Sequence, residues 1–484
     1  MADSCSPSRE IEIKLDIDPS DALELEALPC FSGEEERQRQ ITVYFDTPKE
    51  KLRRGGWVLR VRQVDGRFTQ TVKCSGSPIP IERDEWEEEI SGLRPEAKAI
   101  ARTPLGDVLK GRQIRQLTAL CRCDVERVSR TVANGKGSFE LTYDQGLVEA
   151  REACEPIHEI ELEMKAGNLE ALFASARRIV RQVPAKIGVL AKSERGFRLA
   201  DGRINAPVKA TPVVLRARMS VAEGFATVAA ACLKHFRMNE PLLIAERDAE
   251  ALHQMRVSIR RLRSAFWLFR PAIRDAKVEA FEDQLRRFTR EMGAARNIDV
   301  ILASLPLDDP ARGNLEDNRK RLYSRLIRKL DSRSFRLFMF ELFAWVQTGK
   351  WRSSKKAMGP LMPFAIKRLD RLWTRINRKA EGLGRLSDVE RHKLRISTKK
   401  MRYAVEFLAE PFRNLADERA RFVNAAEGVQ DRLGELNDLA TRQELLFGHA
   451  HETDRKFRSR HLRAAKRHFG KLRDIGAFWG RYEA

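Results

Sequence analysis

Apolar and charged residues alternate over short stretches of the first two hundred residues and recur every three or four residues thereafter. The opening run Glu10-Ile11-Glu12-Ile13-Lys14-Leu15 shows the first pattern. A strand points alternate side chains to opposite faces, so one face carries Glu10, Glu12 and Lys14 and the other Ile11, Ile13 and Leu15. The device returns in Arg60-Val61-Arg62, in Glu85-Trp86-Glu87-Glu88-Glu89 and in Glu159-Ile160-Glu161-Leu162-Glu163. One such strand is an exposed sheet face; several, with both charge signs, predict a closed barrel with a charged lumen. Further strands are predicted over 41–45, 57–63, 67–73, 121–132, 137–143 and 158–165, with turns at Asp65-Gly66, Asn134-Gly135 and Asp144-Gln145-Gly146. Helical spacing appears over 168–182. A linker opens at Asp201-Gly202 and contains Pro207 and Pro212, and from about Val213 the pattern is helical to the end. Strands followed by helices predict two separate domains of an α+β chain, bounded at 1–203, with a linker over 204–214 and a helical domain over 215–484.

The helical part repeats itself. His253-Gln254-Met255-Arg256 continues to Arg260 and Arg263; His392-Lys393-Leu394-Arg395 continues to Lys399 and Arg402. Each histidine is followed by bases at +3, +7 and +10, which fall within an arc of roughly 80° on a helix. Met255, Ile259, Leu262 and Phe266 form the apolar stripe of the first copy, and Leu394, Thr398, Met401 and Val405 that of the second. Met292-Gly293-Ala294-Ala295-Arg296-Asn297-Ile298-Asp299 is echoed by Leu433-Gly434-Glu435-Leu436-Asn437-Asp438. Two similar helical units account for these echoes.

Composition narrows the class. A length of 484 residues suggests two or more domains, and 42% hydrophobic with 33% charged residues fits a globular chain. No apolar run approaches the ~18 residues of a membrane span. Met1-Ala2-Asp3-Ser4 opens no signal peptide. Seven cysteines, an odd number without zinc-type spacing, read as reduced thiols of a cytoplasmic protein, including the pair Cys121 and Cys123. Residues 1–205 hold about 33 bases and 35 acids, the remainder about 58 bases and 34 acids. The basic module is therefore the second one, and its partner a polyanion.

The ordered motifs of the first half resemble the CYTH superfamily of triphosphate tunnel enzymes. They are Glu10-x-Glu12-x-Lys14, Tyr44-Phe45-Asp46-Thr47, Leu59-Arg60-Val61-Arg62, Thr71-Val72-Lys73, Arg83-Asp84-Glu85-Trp86-Glu87, Asp144-Gln145-Gly146, the Glu159/Glu161/Glu163 strand and Lys192-Ser193-Glu194-Arg195-Gly196. The resemblance implies an eight-stranded antiparallel β-tunnel acting on a triphosphate. It implies phosphate binding by Lys14, Arg60, Arg62, Lys73, Arg127 and Lys192, with Arg130 a weaker candidate. It implies Mg²⁺ or Mn²⁺ on Glu10, Glu12, Asp144, Glu161 and Glu163. Glu10, Glu12, Lys14 and Lys73 are the catalytic candidates, and Glu85, Glu87 and Glu159 share the right faces with less defined roles. A cation would neutralise phosphate oxygens, a second would activate a water, and a glutamate would take its proton. The chain departs from the pattern at Ala191, where serine is frequent, and at Cys123, where threonine is common.

The second half resembles the CHAD domain, an all-α module of two helical-bundle repeats associated with inorganic polyphosphate. The resemblance implies a polyphosphate groove on His253, Arg256, Arg260, Arg263, His392, Arg395, Lys399 and Arg402. Basic faces also serve solubility or RNA binding, but these ridges carry one sign, and a base-reading surface offers stacking aromatics. Aromatics are 7% of the chain, and Trp267, Phe269, Trp345, Phe407 and Trp479 sit at apolar helical positions assigned to the core. Neither specific nucleic acid nor a membrane is expected as a partner. The expected function is metal-dependent hydrolysis of inorganic triphosphate to diphosphate and phosphate, with polyphosphate bound by the basic half. The alternatives are a class IV adenylate cyclase or thiamine triphosphatase on the same tunnel, or a non-catalytic polyphosphate-granule protein. Trp57 and Trp86 have the opposite strand parity to Arg60 and Glu85, which leaves a base no stacking platform.

Overall fold

The computed structural model describes residues 7–21, 28, 34–74, 78–79, 81–133, 135–445 and 452–482. Asn134 of one predicted turn, Cys5, Cys30, the opening Met1–Ser4 and the side chain of Asp438 lie outside this description. The chain divides into two compact units: Met1–Lys209, Lys234–Met255 and Arg290–Thr348 form the first, and Ala210–Leu233, Arg256–Thr289 and Gly349–Ala484 the second.

The first unit is built on a closed antiparallel barrel. Its strands are β1 Ser8–Asp16, β2 Glu36–Asp46, β3 Trp57–Val64, β4 Arg67–Cys74, β5 Glu82–Ile90, β6 Thr118–Ala133, β7 Ser138–Ala150 and β8 Ala153–Ala166. They run in the order β5-β4-β3-β2-β6-β7-β8-β1, and β1 returns to β5 to close the ring. β1 does this by dividing its length. Its first half pairs with β5 (Glu10 opposite Arg83) and its second half with β8 (Lys14 opposite Glu161). A two-residue strand, β9 Lys186–Ile187, flanks the end of β1. The β3–β4 hairpin turns on Asp65 and Gly66, both at positive φ (47° and 81°), the twist that a two-residue hairpin demands. Asp144-Gln145-Gly146 is not the turn its composition predicts; it lies inside β7. A Cβ on Gly146 would sit 2.1 Å from the Asp124 carbonyl oxygen, so glycine serves the close approach of β6.

The two faces of the barrel are covered differently. Outside, Leu59, Val61, Val72 and Trp86 pack with α1 Lys51–Arg54, α2 Ala97–Ala101 and α3 Leu105–Val108 into one apolar cluster, joined by Trp57. A further short helix, α4 Gly111–Arg115, precedes β6. Elsewhere on the outside, α5 Leu169–Gln182 lies along β1 and β8 and sets Phe173 against Phe340 and Phe343, with ring centroids 6.0 and 5.8 Å away. Inside, the barrel changes character along its axis. One half is charged; the other is filled by Tyr44, Cys121, Cys123, Val125, Val148, Ala150 and Ile157, capped by Leu199 and Ala200 of α6 Lys192–Ala200. Gly196 lets that helix enter, because a Cβ there would fall 2.2 Å from the Cys121 sulfur. The N-terminus of α6 thus delivers Lys192 to the border of the charged half.

The remaining helices are α7 Val221–Glu246, α8 Ala249–Phe269, α9 Lys277–Ser304, α10 Arg312–Asp331, α11 Arg333–Thr348, α12 Leu361–Glu381, α13 Asp388–Phe407, α14 Ala416–Leu445 and α15 Glu452–Ile475. The two histidine-headed segments fall on α8 and α13, and both predicted apolar stripes are buried. Ser387 opens α13 with a capping box, its hydroxyl accepting from the Glu390 N–H while the Glu390 carboxylate accepts from the Ser387 N–H at 2.8 Å. No helix among the described residues is long and apolar enough to cross a membrane.

Candidate functional site

The strand register assembles two charged clusters in the lumen. In the first, Asp144 stands between Arg127 and Glu159, and Lys14 stands opposite Glu161. Arg127 grips Asp144 with two parallel bonds (2.7 and 2.6 Å) and reaches Glu161 at 2.6 Å. Lys192 meets Asp144 at 2.6 Å and Glu161 at 3.0 Å and also pairs with Glu159. Lys14 pairs with Glu161 and lies 3.2 Å from Glu12. The second cluster lies on β1, β3, β4 and β5. Lys73 holds Glu10 at 2.7 Å and Glu85 at 3.0 Å, and Arg60 reaches Glu85 at 3.2 Å and Glu87 at 3.7 Å. Arg83 pairs with both Glu10 and Glu12.

These pairs set the electrostatics. Burial raises the Glu161 carboxyl, but Lys14, Lys192 and Arg127 pull it well below the usual range. Burial raises Glu10 as well, and Lys73 and Arg83 bring it down to about 2. Glu159 and Glu85 go the other way, because burial outweighs their bases. Against burial, the surrounding carboxylates hold Lys192 and Arg127 well above their ordinary values. Arg62 is the contrast: burial, then Arg60 and Arg127 beside it, press it down to about 10, and its Nε has no hydrogen-bond partner. A cation in that condition is ready for an anion.

The lumen cavity measures about 280 Å³ and is lined by all four catalytic candidates, Glu10, Glu12, Lys14 and Lys73, and by Arg60, Arg62, Arg127 and Lys192. Among the metal candidates, Asp144 and Glu161 come together with Glu159, their nearest carboxylate oxygens all within 4.8 Å. Glu10 and Glu12 belong to the facing set of pairs, and Glu163 lines the cavity paired with Lys165 at 2.8 Å. Arg130 pairs with Glu35, away from the lumen lining. Arg83 was absent from the residues assigned to the site, although it shares the strand parity of Glu85 and Glu87. Cys123 sits under Lys192, buried, with its thiol raised to about 12. Ala191 offers no side chain to cap α6; Glu194 instead accepts from the Ala191 N–H at 3.0 Å. Trp57 and Trp86 pack together outside the barrel, ring centroids 6.3 Å apart.

The second unit holds a larger cavity, about 740 Å³, between segments of α8, α9, α12 and α13. Arg256, Arg260, Arg263, Arg395 and Lys399 line it, with Arg270, Arg274, Arg286, Arg368 and Lys400, against the single acid Glu282. Burial, then Arg260, Arg395, Arg402 and Arg256, lower Lys399 to about 7. Arg402 turns aside to pair with Glu406. His392 is exposed and meets the Asn437 amide oxygen at 2.7 Å, and His253 is half-buried on α8, assigned to the first unit. Phe269, Trp345, Phe407 and Trp479 are buried as expected, but Trp267 is not core. It lines the cavity, with the Arg368 guanidinium 4.7 Å and the Lys400 ammonium 5.6 Å from its ring centroid.

A CYTH domain model matches residues 8–195, and a CHAD domain model matches residues 227–447. The chain joins a CYTH domain to a CHAD domain. An inorganic triphosphatase of Haemophilus influenzae is 29% identical over 201 residues, which is 40% of this chain and 55% of that protein; the match thus spans about half of the relative's length. Among solved structures, the CHAD domain of the plant Ricinus communis is 28% identical, covering 58% of this chain and 98% of that one at a TM-score of 0.45. HpAC1 of Hippeastrum, described as an adenylyl cyclase candidate with a dominant triphosphatase activity, is 18% identical, covering 40% and 96% at a TM-score of 0.31.

The CYTH lumen is chemically suited to a hard divalent cation. Asp144, Glu159 and Glu161 are buried, offer only oxygen, and leave Glu159 Oε2 without a hydrogen-bond partner. Their present counter-charges are Lys14, Lys192 and Arg127.

Proposed function

We propose that the CYTH tunnel hydrolyses inorganic triphosphate to diphosphate and phosphate with Mg²⁺ or Mn²⁺, and that the basic cavity of the CHAD domain binds inorganic polyphosphate. The observation that carries the first part is the lumen's matched set of charges. A site that only bound anions would gain nothing from seven buried or half-buried carboxylates facing its bases. In this reading Arg60, Arg62, Lys73, Arg127 and Lys192 clamp the phosphate oxygens, Arg62 being the base with least to give up. When phosphate draws Lys14, Lys192 and Arg127, the carboxylates of Asp144, Glu159 and Glu161 lose their counter-charges and are free for a cation. A cation held there would supply charge neutralisation and an activated water. Glu10, Glu12 and Lys73 form the facing wall, Lys14 bridges to it through Glu12, and in this reading a glutamate of that wall accepts a proton. The cavity of about 280 Å³ falls just below the usual range of ligand pockets, roughly 300–1,000 Å³, and its wall is charged. It favours a compact triphosphate over a nucleotide or thiamine ester, and Trp57 and Trp86 stand outside.

For the second part the support is the cavity's ten bases against one acid and its depressed lysine. A flexible polyanion would repay both. The cysteines without zinc-type spacing support a cytoplasmic place for such a pair. Phosphate release from tripolyphosphate, ATP and thiamine triphosphate, with Mg²⁺ and with EDTA, tests the proposal. Metal-dependent turnover fastest on tripolyphosphate is expected. No turnover on any of them, with polyphosphate bound tightly, makes the chain a polyphosphate-binding scaffold instead.

A further inference from the structure

Behind the lumen, the first unit contains a second charged network that no strand motif accounts for. Asp16 ends β1, two residues after Lys14, and its carboxylate is shared by two arginines. Arg195 donates to one oxygen at 2.7 Å and Arg237 to the other at 3.2 Å. Arg195 lies on α6 one turn from Lys192 and also bonds Glu155 at 3.0 Å. Arg237 comes from α7, within the stretch matched by the CHAD model. It is buried, pairs with Glu240, and donates from Nε to the Ile187 carbonyl at 3.1 Å. Ile187 belongs to β9, and the next residue, Gly188, donates its N–H to the Lys14 carbonyl at 2.9 Å. β9 lies so close that a Cβ on Gly188 would meet the Lys14 Cβ at 2.9 Å. One turn before Arg237, Lys234 pairs with Glu194, the residue that caps the N-terminus of α6 beside Lys192.

The geometry points to Arg237 and Lys234 as positioning residues of the CYTH site, through which α7 of the CHAD-matched stretch holds Lys14 and Lys192 in the lumen. Each lysine is fixed from behind: Lys14 through β9 and Asp16, Lys192 through Arg195 and Glu194. A tunnel lysine is a point charge on four rotatable bonds, so its ion pairs set the place of its head only where its backbone is held. The arrangement also explains why a buried arginine is kept where burial opposes its charge. It makes the helical stretch a working part of the catalytic unit rather than a tethered binding module. The inference rests on the triphosphatase reading for its activity readout.

The test uses Arg237→Met, Arg237→Lys and Lys234→Gln in the full chain, assayed on tripolyphosphate well below each variant's melting midpoint. Arg237→Met is expected to lower kcat/KM about tenfold, the usual effect of losing a supporting partner. Arg237→Lys should recover most of it, and polyphosphate binding should stay unchanged. A lowered melting midpoint with wild-type kcat and KM would mean that Arg237 only cements the fold, and would overturn the inference. Equal losses of turnover and polyphosphate binding would do the same, as general loosening. Should Arg237→Met not fold, Lys234→Gln decides: about a threefold loss of kcat/KM supports the inference, and wild-type kinetics overturns it. Wild-type turnover tests the triphosphatase reading separately. If there is none, tripolyphosphate affinity by calorimetry replaces kcat/KM, with about tenfold weaker binding by Arg237→Met expected and equal affinity overturning the inference.

Discussion

The tunnel and the basic cavity arrange their charges in opposite ways. In the tunnel each base save Arg62 has a carboxylate beside it, and Lys192 and Arg127 are held firmly charged. In the cavity ten bases face one acid, and Lys399, Arg263, Arg368 and Lys400 are all pushed down, by burial before anything else. Matched charges fix a geometry and leave carboxylates to spare for a metal, which is what bond-breaking requires. Unmatched charges store repulsion that any anion relieves, which favours capture over precision. The difference suggests a division of labour that can be attacked from either side.

The sharpest attack is on the carboxylates. Glu161→Ala removes a partner of Lys14, Lys192 and Arg127 at once, and Glu12→Ala one of Lys14 and Arg83; tripolyphosphate turnover should fall by about 10²–10³-fold in each, with polyphosphate binding intact. Reversing Arg256 and Arg395 to Glu should weaken polyphosphate binding by about a hundredfold, since each reversal exchanges a charge-assisted bond for a repulsion. Calorimetry reads that loss, while triphosphate turnover stays within about twofold; equal loss of both would break the comparison. A milder test uses pH. Lys399 is pressed to about 7 in the free cavity, and bound phosphate would hold it protonated. Binding then takes up a proton above that value, so affinity should fall about tenfold from about pH 6.5 to 8.5. Lys399→Arg, charged throughout, should flatten the profile. The smallest expected effect is structural: Gly146→Ala forces a methyl against the Asp124 carbonyl and should cost about 1–3 kcal/mol, read as a lower melting midpoint.

Parity made much of the tunnel legible. Glu10, Glu12 and Lys14 face inward and Ile13 and Leu15 outward because a strand can do nothing else, and Asp65-Gly66 is a hairpin because two positive φ angles favour those residues. The bases at +3 and +7 of both helical copies line the cavity for the analogous helical reason. Parity does not report depth. Arg127 and Cys123 share a face of β6, yet one lies in the charged half of the lumen and the other in its apolar half, because α6 packs against Cys121 and Val148 at that end. The same gap left Glu159 ranked below Glu163, though Glu159 is buried in the acidic trio and Glu163 pairs with an exposed lysine. Gly146 misled for a different reason: glycine serves both tight turns and close strands, and composition alone does not separate the two. Trp267 was assigned inward by its spacing, but the cavity beside it exists only once α12 and α13 are in place.

The apolar half of the barrel has its own consequence. With Tyr44, Cys121, Val125 and α6 filling one end, the lumen is a socket with a single mouth rather than a pipe. Anything longer than the socket can offer only its terminus. If the tunnel cuts phosphoanhydrides, it should then nibble long chains from their ends and never sever them in the middle. On the same condition, the product would have to back out through the doorway by which the next substrate arrives.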